Sequence, residues 1–170
     1  KMKGYYGKIE NLTVENENFR KVLYTSQHSQ LVLMSIVPNG EIGAEVHADN
    51  DQFFRFESGH VKVIIDDNEY PVEDGDAIIV PAGANHNVIN TSDSEALKLY
   101  TLYTPPHHKD QIVRKTQEEA EADDEEFDGI TTEWFSVFEK HASLARLTKS
   151  SLVIMGNISE SVHLTRFFVV

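Results

Sequence analysis

The 170-residue sequence has no cysteine. Without a sulfur ligand or thiolate there can be no disulfide framework, thiolate zinc site, iron–sulfur cluster or cysteine nucleophile. Any metal must therefore be held by His, Asp, Glu or amide oxygens. Basic residues are also scarce: 15 Lys and Arg face 28 Asp and Glu, for a formal net charge of −13. Such a surface repels phosphate backbones and anionic lipid, so neither nucleic acid nor membrane is an expected partner. No apolar run approaches the roughly 20 residues of a membrane span. The stretch Lys1–Gly7 has basic residues with no apolar run behind them and does not read as a secretory signal, so a cytoplasmic location is the expectation. Also missing are a dinucleotide fingerprint, a phosphate-cradling loop and a Ser-His-Asp series, because the glycines are scattered among turns.

What is present is strand-like. From Ile9 to about Tyr103, short apolar or alternating runs are separated by turn residues such as Pro38-Asn39-Gly40, Ser58-Gly59, Glu73-Asp74-Gly75-Asp76 and Pro81-Ala82-Gly83. The predicted strands are Phe19–Tyr24, Leu31–Val37, Ile42–His47, Gln52–Glu57, Val61–Ile65, Glu69–Val72, Ala77–Val80, Asn85–Asn90 and Leu97–Thr104, with a tight hairpin turn at Asp67-Asn68. Runs apolar on both faces, such as Ala77-Ile78-Ile79-Val80, favour a closed or doubly packed barrel. The paired prolines of Pro105-Pro106-His107-His108 are expected to end it, giving a β-barrel over residues 9–108.

A second region, residues 109–129, holds eight acids between Glu118 and Asp128. Thr116 with Glu119 three residues later has capping-box spacing, so the run reads as a solvated helix or linker. A third, residues 130–170, is expected to be an α-helical extension. Trp134, Val137, Phe138, Leu144 and Leu147 would share one side of a helix, with short β-like segments at Leu152–Met155 and Val162–Val170.

The chemistry-bearing residues cluster between Glu45 and Asn90. Glu45 and His47 are two apart on a predicted strand and leave it on the same face. Gln52 lies across the polar turn Asp49-Asn50-Asp51, in a position to face them, and His86 begins a later strand after Pro81-Ala82-Gly83. Two imidazoles, a carboxylate and an amide oxygen make a first shell suited to Mn, Fe, Co, Ni, Cu or Zn as a divalent ion. On the strand of Gln52, Phe54 and Phe56 share its face and would give the site apolar walls, together with Met34 or Ser35. Tyr100 or Tyr103 on the last barrel strand could supply an acid or base. His28, His60, His107, His108, His141 and His163 are read as packed or surface residues.

Over Leu31 to Pro105 the sequence resembles the cupin superfamily. The superfamily's second motif, G-x5-P-x-G-x2-H-x3-N, is met in full by Gly75, Pro81, Gly83, His86 and Asn90. The first, G-x5-H-x-H-x3,4-E-x6-G, is met by His47 and Gly59. Glu45 stands at its first His position, Gln52 at its Glu position, and the opening glycine is displaced to Gly40. The resemblance implies an all-β double-stranded β-helix (jelly-roll) barrel and a metal site at Glu45, His47, Gln52 and His86. It also implies a homodimer. The run Asp51-Gln52-Phe53-Phe54-Arg55 is similar to small cupins labelled by likeness to sugar-phosphate isomerases. Moving the carboxylate from the Glu position to the first His position keeps one negative charge in the shell. Gln52 could bind through its oxygen, contact metal-bound water or swing away. The expected activity is that of a metal-dependent isomerase, epimerase or dioxygenase on a sugar, sugar acid, keto acid or diketone. A non-catalytic module that binds a small molecule or metal is the alternative.

Overall fold

A computed structural model describes residues 2–123 and 125–133. Two antiparallel sheets enclose one apolar core. The elements, in chain order, are α1 (Ile9–Val14), β1 (Arg20–Thr25), β2 (Gln30–Ile36), β3 (Glu45–Val46), β4 (Asp51–Ser58), β5 (Val61–Ile65), β6 (Asn68–Val72), β7 (Ala77–Val80), β8 (Asn85–Asn90), β9 (Leu97–Thr104), β10 (Val113–Arg114) and α2 (Gln117–Glu121). The larger sheet runs β10-β1-β2-β9-β4-β7 and the smaller one β3-β8-β5-β6.

Period-two alternation builds the interior. Along β4, Gln52, Phe54 and Phe56 are buried, and along β9 so are Leu97, Leu99, Thr101 and Tyr103. The β4–β9 register sets Gln52 opposite Tyr103, Phe54 opposite Thr101 and Phe56 opposite Leu99. The inner face is therefore polar at one end and apolar along the rest. Across from it, Val61, Val63 and Val88 of the smaller sheet close the core.

Strand placement from sequence agrees closely, with instructive departures. The predicted strand Ile42–His47 survives only as Glu45–Val46. Gly43, at φ 90°, breaks the run, so Glu41 bridges to Ile89 before the interruption and Glu45 pairs with His86 after it. The hairpin turn is Asp66-Asp67, one residue earlier than expected, because Ile65 pairs with Asn68 and Asp66 takes the positive φ. The apolar run Ala77–Val80 does not mark a doubly covered strand: β7 is a sheet edge, and Ile79 is 68% exposed. Ile9–Val14, read as part of the strand-like region, is a helix lying against β9, β4 and β2. It covers the outer face of the larger sheet, where Leu33 is buried without joining the central core. Below it, Lys98 donates to the Asn16 carbonyl and, at 3.0 Å, to Ser35 Oγ, so Ser35 lines no wall of the inner site.

Pairing also continues beyond Pro105-Pro106. β10 adds to β1 with Arg20 opposite Arg114, and α2 follows. Thr116 caps α2 by accepting from Glu119 N, while the Glu119 carboxylate reaches Lys115 N instead of the cap residue's own amide. The acidic run is not uniformly solvated. Glu125 is buried, 2.7 Å from Arg20 Nη1 and 2.6 Å from Arg114 Nε, and this pairing holds the segment on the barrel. The expected helix with Trp134 and the β-like segments after it lie outside the described residues. Among the described residues no helix is long and apolar enough to cross a membrane.

Two second-motif positions have structural roles here. Gly83 takes φ 83° and its amide donates to His47 O at 2.8 Å, joining the turn before β8 and His86 to the segment of His47. Asn90, 1% exposed, donates from Nδ2 to the carbonyls of Ile36, Val37 and Glu95 and accepts from Ser92 N, tying three loop segments together. Substituting Asn90→Leu would leave those groups unpaired. The expected loss is about 2–4 kcal/mol of unfolding free energy, read from the denaturant midpoint at an unchanged slope.

Candidate metal centre

The polar end of the barrel is assembled from four segments. β3 pairs with β8 so that Glu45 is opposite His86. His47 follows one residue after β3 ends, and Gln52 enters from β4 in the facing sheet. The polar turn between them is anchored by Asn50, whose amide donates to Pro105 O at 2.6 Å.

Glu45 Oε1 is 3.1 Å from His47 Nε2 and 3.4 Å from His86 Nε2. The three donor atoms lie within 4.8 Å of one another. Gln52 Oε1 is 3.0 Å from His86 Nε2. Donors held about 2.0–2.2 Å from one ion at tetrahedral to octahedral angles stand about 3 Å apart, which is the spacing found here. On the far side of its ring, His86 Nδ1 is 3.4 Å from Ala84 O. A backbone carbonyl there favours the proton on Nδ1 and turns the Nε2 lone pair toward the cluster. His47 and His86 are buried and Gln52 is 1% exposed, whereas Glu45 retains access to solvent. The donor set therefore fits a divalent transition ion approached from the Glu45 side.

Electrostatics agree with the geometry. Burial by itself would raise the Glu45 carboxyl, but hydrogen bonds and charge interactions with His47 and His86 outweigh it and hold the group well below the usual carboxylate range. Glu45 is thus an anion at neutral pH. Tyr103 is pushed up, first by burial and then by the Glu45 charge, and stays a neutral phenol.

Of the other candidates, Phe54 flanks the cluster, its ring centroid 6.0 Å from that of His86. Phe56 and Met34 are buried two register rows farther along the sheet, opposite Leu99, and belong to the core instead of the pocket. Tyr103 points inward, 5.6 Å from the His47 ring. Tyr100 has the opposite parity and lies on the outer face beside Phe53, opposite Arg55, so it cannot serve this site. Strand alternation separates residues three apart, and only one of these two tyrosines could face in.

His107 and His108 were not expected at the site. His107 meets His47 edge-on at 4.2 Å and stacks on Tyr103 at 5.3 Å, while His108 packs against the same tyrosine at 5.0 Å. The fully buried Gln30 places them. Its Oε1 accepts from His108 N at 2.9 Å and His107 N at 3.3 Å, and its Nε2 donates to His108 O at 2.6 Å and Thr25 Oγ1 at 2.9 Å. The available signal was positional: the His-His pair follows a strand that runs beside Gln52. Burial and the His47 charge push the His107 imidazole down to about 4.

Comparisons with known proteins agree with this architecture. The family model described as Cupin domain matches residues 32–103. An uncharacterized protein of Acanthamoeba polyphaga mimivirus is 40% identical over 107 residues, covering 61% of this chain and 67% of that protein. The uncharacterized YrkC of Bacillus subtilis is 41% identical over 120 residues, covering 67% of this chain and 64% of YrkC. The chain spans about two thirds of the length of these curated relatives. The crystal structure of BH2720 from Bacillus halodurans superposes with a TM-score of 0.69 at 38% identity, covering 71% of this chain and 96% of that one.

His108 generates a pH prediction. Burial, Arg20 and His107 lower its folded pKa well below the ordinary value of about 6.5. The unfolded chain therefore binds the proton first as pH falls, and stability drops once pH passes below about 6.5. Thermal midpoints measured from pH 7.5 to 5 should decline over that window, and His108→Gln should flatten the decline.

Proposed function

Because the chain belongs to the cupin family and brings Glu45, His47 and His86 within reach of a single ion, we propose that it is a metal-dependent enzyme acting on a small oxygenated molecule. The observation that carries the reading is the cluster of one partly exposed carboxylate and two buried imidazoles, with mutual spacings suited to a divalent ion. A bound divalent ion would supply Lewis acidity toward a carbonyl, carboxylate or enediolate oxygen.

The protein's own residues set the terms of that chemistry. Glu45 contributes the anion that offsets part of the ion's charge. His47 and His86 contribute imidazole nitrogens, and the Gly83 amide bonded to His47 O links the segments that carry them. Gln52 contributes an amide oxygen at the same position and no charge. Phe54, Tyr103 and His107 limit water around the cluster, which strengthens every charge interaction within it. No basic residue belongs to this group, so the substrate class favoured is a sugar, sugar acid, keto acid or diketone, not a heavily phosphorylated compound. Polarising such an oxygen would serve isomerase, epimerase or dioxygenase chemistry.

The non-catalytic reading makes a different prediction from the same ligands. Metal content of the purified protein should be close to one ion per chain, and Glu45→Ala or His86→Ala should weaken metal binding by at least about tenfold. Turnover of a panel of small hydroxy-carbonyl compounds, lost together with the metal in both variants, supports an enzyme. Ligand binding without turnover under every metal tried assigns a binding module. A full-length protein that takes up none of the candidate metals overturns the proposal.

A further inference from the structure

Two buried amide side chains hold a segment that neither cupin motif covers. Asn50 donates to Pro105 O, while Gln30 accepts from the amides of His107 and His108 and donates to His108 O. A buried amide is costly unless its hydrogen bonds are made, and these two direct theirs to the backbone of residues 105–108. The ring this clamp sets in place is that of His107. It meets His47 edge-on at 4.2 Å and stacks on Tyr103 at 5.3 Å, so its orientation is fixed from two sides. Neither of its ring nitrogens hydrogen-bonds a described residue, and the residue is only half-buried. Of the other rings beside the donor cluster, Phe54 has no polar atom and Tyr103 is 2% exposed, so His107 alone among the three combines an N–H with access to solvent.

From the clamp and the free ring nitrogens together, we infer that His107 is a substrate-contacting residue and that Gln30 is the positioning residue that presents it. The ring N–H donates to a second oxygen of a ligand whose first oxygen is held by the ion. The site therefore selects small molecules with oxygens on neighbouring carbons, such as hydroxy acids, keto acids and vicinal diketones, over those with one oxygen-bearing carbon. This rests on the metal reading above and narrows its substrate class. An imidazole carries an N–H whichever ring nitrogen is protonated, so the role does not depend on the tautomer. It also explains why a polar side chain occupies position 30. An apolar residue of similar size could fill the row between Thr25 and Tyr103, but it could not bind the amides of His107 and His108.

The test uses the full chain loaded with Co(II), whose visible bands report ligand exchange, titrated with glycolate and with acetate, which lacks the second oxygen-bearing carbon. Co(II) affinity is measured separately by competition with a chelator. His107→Phe keeps a ring against His47 and Tyr103 and removes the N–H. The expected result is a glycolate-to-acetate preference reduced at least about fivefold, with Co(II) affinity within about twofold of the original. His107→Gln, which puts back an N–H, should recover most of the preference. Gln30→Met should lower it in the same way, and should lower it no further when combined with His107→Phe, because Gln30 acts through that ring. Circular dichroism checks the fold of each variant, and the His107 variants decide the inference if Gln30→Met does not fold. A preference within about twofold of the original in folded, Co(II)-loaded His107→Phe overturns the inference and leaves the metal site standing. A loss of Co(II) affinity that parallels the loss of glycolate also overturns it, since the ring would then only support His47. Failure of the unsubstituted protein to bind Co(II) overturns the metal reading and this inference with it.

Discussion

Burial of polar groups at one end of the space between the two sheets is the constraint on which the site depends. The β4–β9 and β3–β8 registers bring Gln52, Tyr103, Glu45 and His86 into a space largely withdrawn from water. A polar group taken there must find a partner or bear the desolvation cost. Gln30, which pairs with Tyr103 from the strand on its other side, shows how such a group is satisfied: both ends of its amide are bonded, and the backbone of 107–108 is fixed as a result. Gln52 is placed otherwise, its oxygen 3.0 Å from His86 Nε2 and its side chain beside the Tyr103 hydroxyl.

The layer around the cluster is made from residues outside the two cupin motifs. Asn50 ties the turn before β4 to Pro105, and Gln30 clamps the two residues after Pro106. Glu125 reaches in from the acidic segment to pair with Arg20 and Arg114. A buried ion pair contributes little net stability compared with an apolar substitute, but losing one partner leaves a buried charge uncompensated. Glu125 is therefore fastened to the strands of Arg20 and Arg114 by a contact that resists partial removal. It also stands 3.9 Å from His108 Nδ1.

Much of this was legible in the sequence. Period-two alternation identified the inward faces of β4 and β9, and the shared parity of Glu45 and His47 put both heads on one side of the chain. Turn residues delimited most strands to within a residue or two. The failures have a common physical cause. Tyr100 and Tyr103 are chemically equivalent as candidates until the register of β9 against β4 decides which faces in. Ile9–Val14 is too short for its periodicity to distinguish a helix from a strand, and its apolar residues are satisfied by packing on a sheet face formed much later in the chain. Glu125 sits in a run of acids that is ordinarily solvated, and only the arrival of Arg20 from a distant strand makes its burial tolerable.

The sequence by itself determined the local matters: where strands run and turn, which side chains share a face, that no thiolate can bind a metal, and that one carboxylate and two imidazoles stand at motif positions. Those follow from backbone stereochemistry and side-chain identity, which act over a few residues. Tertiary structure alone decided that these heads converge to 3.1 and 3.4 Å and that His107 packs against His47 beside them. Convergence and burial depend on strand register and on contacts between residues tens of positions apart, and no local preference encodes them.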